Sequence, residues 1–335
     1  MTSVPTSVPT SVPLPVDGVV LALDAGGSTT RALVLDPAGR PLARAGSGPG
    51  NPSAVGVETA LGSLRDAVAQ ALAEAGATGG DVRSTVLATA GSDRLVPVER
   101  LVDHLGLTPG APFRRVSDLL AMFHSATDDD TGAALVAGTG SVAARVRDGA
   151  LERVVGGNGW LLGDAGAGFW MGREVARAVT SDLDGTGPAT ALTPAVLAEF
   201  GLTDDRRPRE GRAYVLGELV DLVYGAEPVR LARLAPACFT VAAAGDPVAA
   251  AVVTAAQEEL AALVRAVAGP GPLVVGGGVW RRGAEGPLAP ALRDALAGRD
   301  VLPADDGLLG AASLALRALG LPTGPLRALR AVPTP

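Results

Sequence analysis

Three short glycine-rich segments combine unobstructed backbone amides with hydroxyl groups, a composition suited to binding phosphate. Adjacent glycines let N–H groups converge on an anion, and Ser and Thr hydroxyls add donors. Asp24, at the end of the predicted strand before the first segment, could hold a hydrated Mg²⁺ beside bound phosphates. The three segments are Gly26-Gly27-Ser28-Thr29-Thr30, Gly138-Thr139-Gly140-Ser141 and Gly276-Gly277-Gly278.

Taken singly, each segment is also typical of a tight turn, because Gly, Asp and Ser are common turn residues. All three follow predicted strands, and they are divided between the two halves of the chain. We therefore interpret them together as a site for a nucleotide held between two domains. The sequence has no lysine among its 28 basic residues, which excludes a Walker A loop and Schiff-base chemistry on lysine.

Three polar residues are candidates for binding or proton transfer. Asp118 ends a predicted strand and begins a predicted helix, where capping is the commoner role of Asp. Ligands of open α/β sheets bind at the carboxyl ends of the strands, so Asp118 is also a candidate general base. Asn51 and Asp164 lie in glycine-rich loops and are interpreted equally well as turn residues or as ligands of a hydroxyl group. Asp93 is expected to be a cap or a structural residue.

The composition of the 335-residue chain excludes several classes of protein. Its single cysteine rules out a disulfide framework, a cysteine zinc cage and an iron–sulfur cluster on four thiolates of one chain. One thiol fits a reducing compartment, so we expect a cytoplasmic protein. A net charge of −7 with scattered arginines argues against nucleic-acid binding, and the lack of a long apolar run argues against a membrane span.

Hydrophobic periodicity predicts an α/β chain whose two halves begin alike, with a strand, a glycine turn, a second strand, a short turn and a third strand. The few aromatic residues, including Trp160, Phe169 and Trp170, are expected in the core. Strands are predicted at 19–24, 31–36, 41–47, 84–90, 113–117, three from 133 to 155, 272–275 and 300–302. Helices are predicted at 53–75, 94–105, 118–126, 173–180, 214–223, 248–267 and 308–319.

This organisation predicts two domains between two tails. The N-terminal tail repeats TSVP three times and has too little apolar surface to pack, so we expect disorder there. The predicted boundaries are 1–17 for this tail, 18–130 for the first domain, 131–320 for the second domain with its helical insertion, and 321–335 for a C-terminal tail.

Four segments resemble the BadF/BadG/BcrA/BcrD-type ATPase family and, within it, the N-acetylglucosamine kinases. They are LDAGGSTTRALVLD, AGTGS, GGNGWLLGDAGAGFWMGRE and VVGGGVW, in this order between about Val19 and Leu319. The third segment is the most specific. The resemblance implies an α/β fold of two ribonuclease-H-like (actin-like ATPase) domains, the second enlarged by helices, with ATP in the cleft between them.

The same resemblance implies roles for individual residues. Asp118 would accept the proton of the sugar 6-hydroxyl, and Asp24 would lie near Mg²⁺ and bind it through water. Residues implied at ATP are Gly26, Gly27, Ser28, Thr139, Gly140, Gly277 and Arg281. Residues implied at the sugar are Asn51, Asp118, Ser141, Val142, Gly157, Asn158, Gly159 and Asp164.

The function implied is an ATP- and Mg²⁺-dependent kinase of a small amino sugar, N-acetylglucosamine first, that transfers the γ-phosphate to the 6-hydroxyl. Asn158 and Ala165 stand where relatives carry Trp and Glu, so glucosamine or another hexose remains an alternative, and a homodimer is left open. An activator ATPase of the same family would share an iron–sulfur cluster across a dimer and needs more cysteines than Cys238. A ROK-family kinase is disfavoured because its cysteine-rich zinc motif is missing, and a sugar sensor because no DNA-binding extension is present.

Overall fold

The structure, a computed structural model, describes residues 17–89, 95–324 and 326. The predictions for the N-terminal tail up to residue 16, for Asp93 and for most of the C-terminal tail lie outside these residues. The described chain divides into two compact units, one of residues 17–128 with 305–326 and one of residues 129–304.

The first unit is built on a five-stranded sheet between helices. Its elements are β1 (Val19–Ala25), β2 (Thr30–Leu35), β3 (Pro41–Ser47), α1 (Pro52–Val55), α2 (Val57–Glu74), a 3₁₀ turn (Gly79–Asp81), β4 (Val82–Thr89), α3 (Val98–His104), β5 (Phe113–Ser117), α4 (Asp118–Ala126) and the last helix of the chain, α13 (Gly307–Arg317). The strand order is β3-β2-β1-β4-β5. The first three strands are antiparallel, and β4 and β5 run parallel to β1. Strands β1 and β2 are apolar runs because helices cover both faces of the sheet.

The second unit repeats this sheet and adds a layer of helices. Its elements are β6 (Gly132–Ala137), β7 (Ser141–Arg147), β8 (Ala150–Gly156), α5 (Gly159–Leu162), α6 (Gly168–Leu183), α7 (Leu192–Glu199), β9 (Pro208–Arg209), β10 (Arg212–Ala213), α8 (Tyr214–Tyr224), a 3₁₀ helix (Pro228–Leu234), α9 (Ala235–Ala243), α10 (Pro247–Ala266), β11 (Leu273–Gly276), α11 (Gly278–Ala284), α12 (Pro290–Leu296) and β12 (Val301–Pro303). Counted from its β8 edge, the second sheet has the order β8-β7-β6-β11-β12, which matches β3-β2-β1-β4-β5 of the first sheet strand for strand. The predicted fold class, two similar α/β units with the second enlarged by helices, is confirmed.

Helix α13 belongs to the first unit, whereas the sequence pattern assigned residues up to 320 to the second domain. Eight of its eleven residues are buried. A Cβ at Gly310 would lie 1.7 Å from the carbonyl oxygen of Ala121 in α4, so the two helices pack backbone to backbone. The order of the elements along the sequence does not show that the chain returns to the first unit after residue 304.

Helix α10 is by length and composition apolar enough to cross a membrane. In this structure it packs against α9, α12 and the second sheet, with Leu260, Ala261 and Val264 among its buried residues. Gln257 is also buried and accepts a hydrogen bond from the amide of Ala289. The helix is therefore accounted for as a core helix of its unit.

Several predicted elements differ from the observed ones for local reasons. The helix predicted over 53–75 is two helices, because Gly56 has a φ of +82° that ends α1. The helix predicted over 94–105 begins only at Val98, after Pro97. The elements that were not predicted individually are all nine residues long or shorter, too short for a clear period: α5, α7, α9, α11, α12, the two 3₁₀ segments and the hairpin of β9 and β10.

Candidate active site

The first glycine turn joins β1 to β2 and is fastened to the loop that carries Asn51. The Gly26 amide donates to the Thr29 carbonyl at 2.9 Å, which closes the turn. The Gly26 carbonyl accepts from the amides of Gly50 at 3.0 Å and Asn51 at 3.1 Å. The predicted phosphate turn and one predicted sugar residue are therefore in direct contact.

Asn51 caps the short helix α1, as its turn-like surroundings indicated. Its Oδ1 accepts from the Ser53 amide at 2.9 Å, while its Nδ2 remains as a donor on a half-buried side chain. This geometry combines the two roles that the sequence left open, because capping uses one end of the amide group and leaves the other for a ligand.

Asp24 lies opposite Arg31 in the β1–β2 ladder and forms an ion pair with it. Arg31 Nη1 also binds Asp306 Oδ1 at 2.8 Å, and Arg44 Nη2 binds Asp306 Oδ2 at 2.6 Å. Burial lowers the pKa of Arg31, but its hydrogen bond to Asp24 and the charge of Asp306 outweigh burial and raise that pKa. Asp24 thus carries a compensated negative charge at the carboxyl end of β1.

The residues around Asp24 fit a magnesium ion that is held mainly by phosphates and water. In the described part of the chain, no three His, Cys, Asp or Glu side chains cluster into a metal site. Mg²⁺ is commonly bound through one or two carboxylates together with substrate phosphates, so the single carboxylate of Asp24 suffices.

Asp118 is the first residue of α4 and its side chain is exposed. Its Oδ1 accepts from the Leu119 amide at 2.8 Å, a capping bond that Ser117 Oγ shares at 3.1 Å. No described residue donates to its Oδ2. The ends of β1, β4 and β5 are adjacent, since Thr89 pairs with both Ala25 and Ser117. Asp118 and Asp24 therefore lie at one edge of one sheet, as expected for a ligand-binding edge.

The second glycine turn, between β6 and β7, is bound by the start of α6. The Gly138 amide donates to the Gly140 carbonyl at 2.9 Å. The amides of Gly168 and Phe169 donate to the carbonyls of Gly138 at 2.8 Å and Thr139 at 3.0 Å. Two carbonyls of the turn are thus bound by amides of α6, while the Thr139 side chain is exposed.

The side chain of Asp164 packs against this turn on its buried side. Its side chain is 8% exposed, and its Oδ1 accepts from the Ser141 amide at 3.1 Å. A Cβ at Gly140 would lie 2.7 Å from Asp164 Oδ2, so only glycine leaves room for the carboxylate. The Ser141 hydroxyl in turn donates to the Ala165 carbonyl at 2.9 Å. Of the two roles that the sequence left open for Asp164, the loop-ordering role is visible here, and the sugar-binding role stays a prediction.

The loop after β8 carries the remaining predicted sugar residues. Gly157 and Gly159 have φ values of +68° and +78°, and the Gly157 amide donates to the Ser141 carbonyl at 2.8 Å. Asn158 between them is exposed, and Val142 packs against Gly157. Trp160, expected in the core, is instead 40% exposed and touches the buried Phe169 ring at 5.2 Å between centroids. The one-turn helix α5 is too short to bury its apolar side chains.

The third glycine turn brings the end of β11 against the end of β6. Gly277 has a φ of +98°, and a Cβ there would lie 2.2 Å from the Ala137 carbonyl oxygen, so no other residue fits. The turn starts α11, whose Arg281 amide donates to the Gly277 carbonyl at 3.1 Å. The second and third glycine turns are therefore adjacent within the second unit.

A cavity of about 290 Å³ opens between these two turns. The family resemblance implies Arg281 at ATP. The arginine that lines this cavity is Arg282, one position further along α11. Helical spacing is a signal that could have found it, since Arg282 follows Gly278 by four residues and so lies on the same helix face. The lining residues are Gly138, Thr139, Gly168, Ala232, Ala235, Pro236, Phe239, Gly278, Val279 and Arg282.

One family model and two relatives of known name match this chain. The family model described as "BadF/BadG/BcrA/BcrD ATPase family" matches residues 21–315. The glucosamine kinase GspK of Vibrio cholerae serotype O1 is 29% identical over 234 residues, which cover 68% of this chain and 73% of that protein. The N-acetyl-D-glucosamine kinase of Dictyostelium discoideum is 26% identical over 263 residues, which cover 74% of this chain and 79% of that protein.

A solved structure supports the same grouping. It is a protein of Chromobacterium violaceum provisionally assigned as an N-acetylglucosamine kinase. The two chains are 26% identical and superpose with a TM-score of 0.68, over 90% of this chain and all of the other.

Proposed function

Because this chain belongs to the BadF/BadG/BcrA/BcrD ATPase family, we propose that it is an ATP-dependent amino-sugar kinase that transfers the γ-phosphate of ATP to the 6-hydroxyl of its sugar. Both curated relatives described above are named as kinases of an amino sugar, and each covers at least two thirds of this chain. The predicted amino-sugar specificity and the predicted enzyme class agree with these relatives.

The observation that carries the catalytic part of the proposal is the Asp118 carboxylate. It is exposed at the carboxyl end of β5, and only its Oδ1 is used in capping α4. A general base must lie within hydrogen-bond reach of the proton that it accepts. The Oδ2 atom of Asp118 would accept the proton of a hydroxyl bound within this reach, since only Oδ1 is used in capping.

The other residues would position the reactants and compensate charge. Phosphoryl transfer depends mainly on positioning and electrostatic stabilisation, which backbone amides supply without lysine. The amides of Gly27 and Ser28 have no acceptor among the described residues and would bind phosphate oxygens. A magnesium ion held through water on Asp24 would neutralise phosphate charge, and Arg31 keeps that carboxylate in place.

The identity of the sugar turns on the loop after β8. The family resemblance implies a Trp where Asn158 stands, so a sugar pocket at this loop would have a smaller and more polar wall. Of the two amino sugars named for the relatives, N-acetylglucosamine is our first candidate and glucosamine the second. We expect this chain to discriminate weakly between them.

A coupled assay of ADP release tests the proposal directly. The purified chain is given MgATP with N-acetylglucosamine, glucosamine, N-acetylmannosamine and glucose, and each product is analysed for phosphate at the 6-position. We expect ADP release that depends on one of the two glucosamine-type sugars and produces the 6-phosphate. ADP release that is the same without any sugar would contradict a kinase and favour the activator type of ATPase.

A further inference from the structure

The chain contains two asparagines, Asn51 and Asn158, and they differ in the residue that follows them. Asn51 precedes Pro52, whereas Asn158 precedes Gly159. An asparagine loses ammonia when the backbone nitrogen of the next residue attacks its side-chain carbonyl carbon. Proline has no N–H to lose in this attack, whereas glycine has no side chain to obstruct it. Asn158 therefore meets a chemical requirement for deamidation that Asn51 does not meet.

The side chain of Asn158 is also free to move, in contrast to that of Asn51. Asn158 is exposed and precedes α5 without a side-chain capping bond. In the part of the chain that the structure describes, its amide group has no hydrogen-bond partner. Asn51 is half-buried, and its Oδ1 is held by the Ser53 amide at 2.9 Å. Only Asn158 thus has a side chain that can turn toward the next backbone nitrogen without losing a bond.

The nitrogen that would attack is equally unoccupied. Gly159 is the first residue of α5, and the first amides of a helix have no acceptor within it. Among the described residues, none accepts a hydrogen bond from the Gly159 amide. A Cβ built on Gly159 would meet nothing within 4 Å, so the space beside this nitrogen is open to water.

The backbone of this loop opposes the necessary rotation only weakly. Asn158 has a ψ of +7°, and the attack requires rotation about this bond until the Gly159 nitrogen faces the side-chain carbonyl. Residues 157–162 are all exposed, so the rotation removes no buried contact of theirs. One hydrogen bond spans the turn, from the Gly163 amide to the Gly159 carbonyl at 2.8 Å. A single exposed turn of helix opens readily, because little else holds it.

We propose that Asn158 is a site of spontaneous deamidation, and that the carboxylate formed there shifts the sugar preference of the chain from N-acetylglucosamine toward glucosamine. The Gly159 nitrogen forms a bond to Cγ of Asn158, and the side-chain nitrogen leaves as ammonia with the proton of the Gly159 amide. Water then opens the five-membered imide at one of its two carbonyls and gives aspartate or isoaspartate. Water is the only other reactant.

The effect on sugar preference rests on the proposed kinase function, because Asn158 lies in the loop that carries candidate sugar residues. Glucosamine has an amine that is largely protonated at neutral pH, as α-amino groups are, whereas the acetamido group of N-acetylglucosamine is neutral. A carboxylate at an exposed position attracts a cation weakly, so we expect a change in preference of about two- to fivefold.

The first experiment measures deamidation by peptide mass. Because the chain has no lysine, trypsin cleaves it only after arginine and places the two asparagines in separate peptides, residues 45–65 and 154–173. The purified chain is kept for several weeks at physiological temperature and mildly alkaline pH, and a fresh sample digested in parallel gives the starting value.

We expect peptide 154–173 to gain the mass difference between an amide and a carboxylic acid, and part of it to become a substrate of an isoaspartyl methyltransferase. Peptide 45–65 is the internal control and should keep its mass, because Pro52 follows its asparagine. A peptide 154–173 that keeps its mass as long as peptide 45–65 would overturn the proposal.

The second experiment uses two variants of the same position. Asn158→Asp has the carboxylate from the start, and Asn158→Gln keeps an amide on a side chain one methylene longer, from which the five-membered ring cannot form. The ratio of kcat/KM for glucosamine over N-acetylglucosamine should be about two- to fivefold higher in Asn158→Asp and in the aged chain than in the fresh chain. Aged Asn158→Gln should keep its initial ratio. An unchanged ratio in Asn158→Asp would overturn the effect on sugar preference.

The mass measurement separates this inference from the proposed function, since it involves no substrate. Deamidation confined to peptide 154–173 would support the modification site even in a chain that phosphorylates no sugar. Phosphorylation of a sugar by a chain whose Asn158 stays intact throughout the incubation would leave the kinase function standing and overturn the inference.

Discussion

The first and second glycine turns occupy equivalent places in sheets of the same strand order. Next to each turn, a buried hydroxyl at the start of the second strand donates a hydrogen bond to a loop carbonyl. Thr30 begins β2 and Ser141 begins β7, and each is buried. Their hydroxyls donate to the carbonyls of Gly48 and Ala165, each at 2.9 Å, in the loops after the third strand of each sheet. In both units the second strand thus holds the loop that carries candidate sugar residues.

The turns differ in what lies beside them. The first turn is held through the single carbonyl of Gly26, and the first unit has two carboxylates, Asp24 and Asp118, at the adjacent carboxyl ends of β1 and β5. The second turn rests on the buried carboxylate of Asp164 and adjoins an apolar cavity. Two sheets of the same strand order therefore carry different chemistry at the carboxyl ends of their strands, two carboxylates in the first unit and a buried carboxylate beside an apolar cavity in the second.

Asp118→Asn should have the largest effect, because it removes the proposed general base. We expect kcat to fall by at least about a hundredfold while the dissociation constants of nucleotide and sugar change less than about threefold. Asparagine keeps an oxygen that can accept from the Leu119 amide, so α4 retains its cap. Asp103→Asn on α3 is the matched control. Turnover of Asp118→Asn near that of the unmodified chain would leave this residue as a cap alone.

The sequence predicted the elements with strong periods well. The observed bounds of β3, β5 and α4 are those predicted, and the repeat of the sheet was visible from the strand and glycine pattern alone. The second and third glycine turns, each predicted to follow a strand, are adjacent in the structure because strands β6 and β11 are neighbours whose carboxyl ends meet.

What the sequence could not supply depends on contacts between distant segments. The support of Gly140 by Asp164 joins residues far apart in the chain, and no local period encodes it. The scarcity of aromatic residues predicted a core position for Trp160, and this prediction was wrong. Trp160 is exposed because the four-residue helix α5 cannot bury an indole on its own. Arg282 lines the cavity and Arg281 does not, because helix geometry decides which of the two faces it, and the role of Arg281 at ATP stays a prediction.

The same substitution in the two turns should lower stability in the second turn and leave it nearly unchanged in the first. Gly140→Ala would place a Cβ 2.7 Å from Asp164 Oδ2, and overpacking of this kind costs about 1–3 kcal/mol. Gly27→Ala would place its Cβ 3.9 Å from the nearest atom, in Ala54, so its free energy of unfolding should change by less than about 0.5 kcal/mol. Urea unfolding of both variants measures the difference, and equal losses would show that the carboxylate does not support the second turn.

Asn158→Trp, in the second unit, should increase the preference for N-acetylglucosamine over glucosamine. A large apolar wall suits the methyl of an acetamido group, so the ratio of kcat/KM for N-acetylglucosamine over glucosamine should rise about tenfold. Asn158→Ala, which shrinks the side chain without adding a wall, is the control and should leave the ratio within about threefold. An unchanged ratio in the Trp variant would mean that this exposed position does not contact the sugar.

The smallest effects are expected from the two buried hydroxyls of Thr30 and Ser141. They test whether the two hydrogen bonds contribute equally to the stability of the two units. Thr30→Val and Ser141→Ala each remove one hydrogen bond to a loop carbonyl, and each should lower the free energy of unfolding by about 1 kcal/mol. Ser313→Ala is the control, because the hydroxyl of Ser313 is buried in α13 and has no hydrogen-bond partner among the described residues. Removing an unpaired buried hydroxyl should leave stability unchanged or raise it slightly. Losses of similar size at Thr30 and Ser141 would mean that the two loops are held with similar strength. A loss confined to Ser141 would mean instead that the bonds from Gly50 and Asn51 to Gly26 hold the first loop without Thr30.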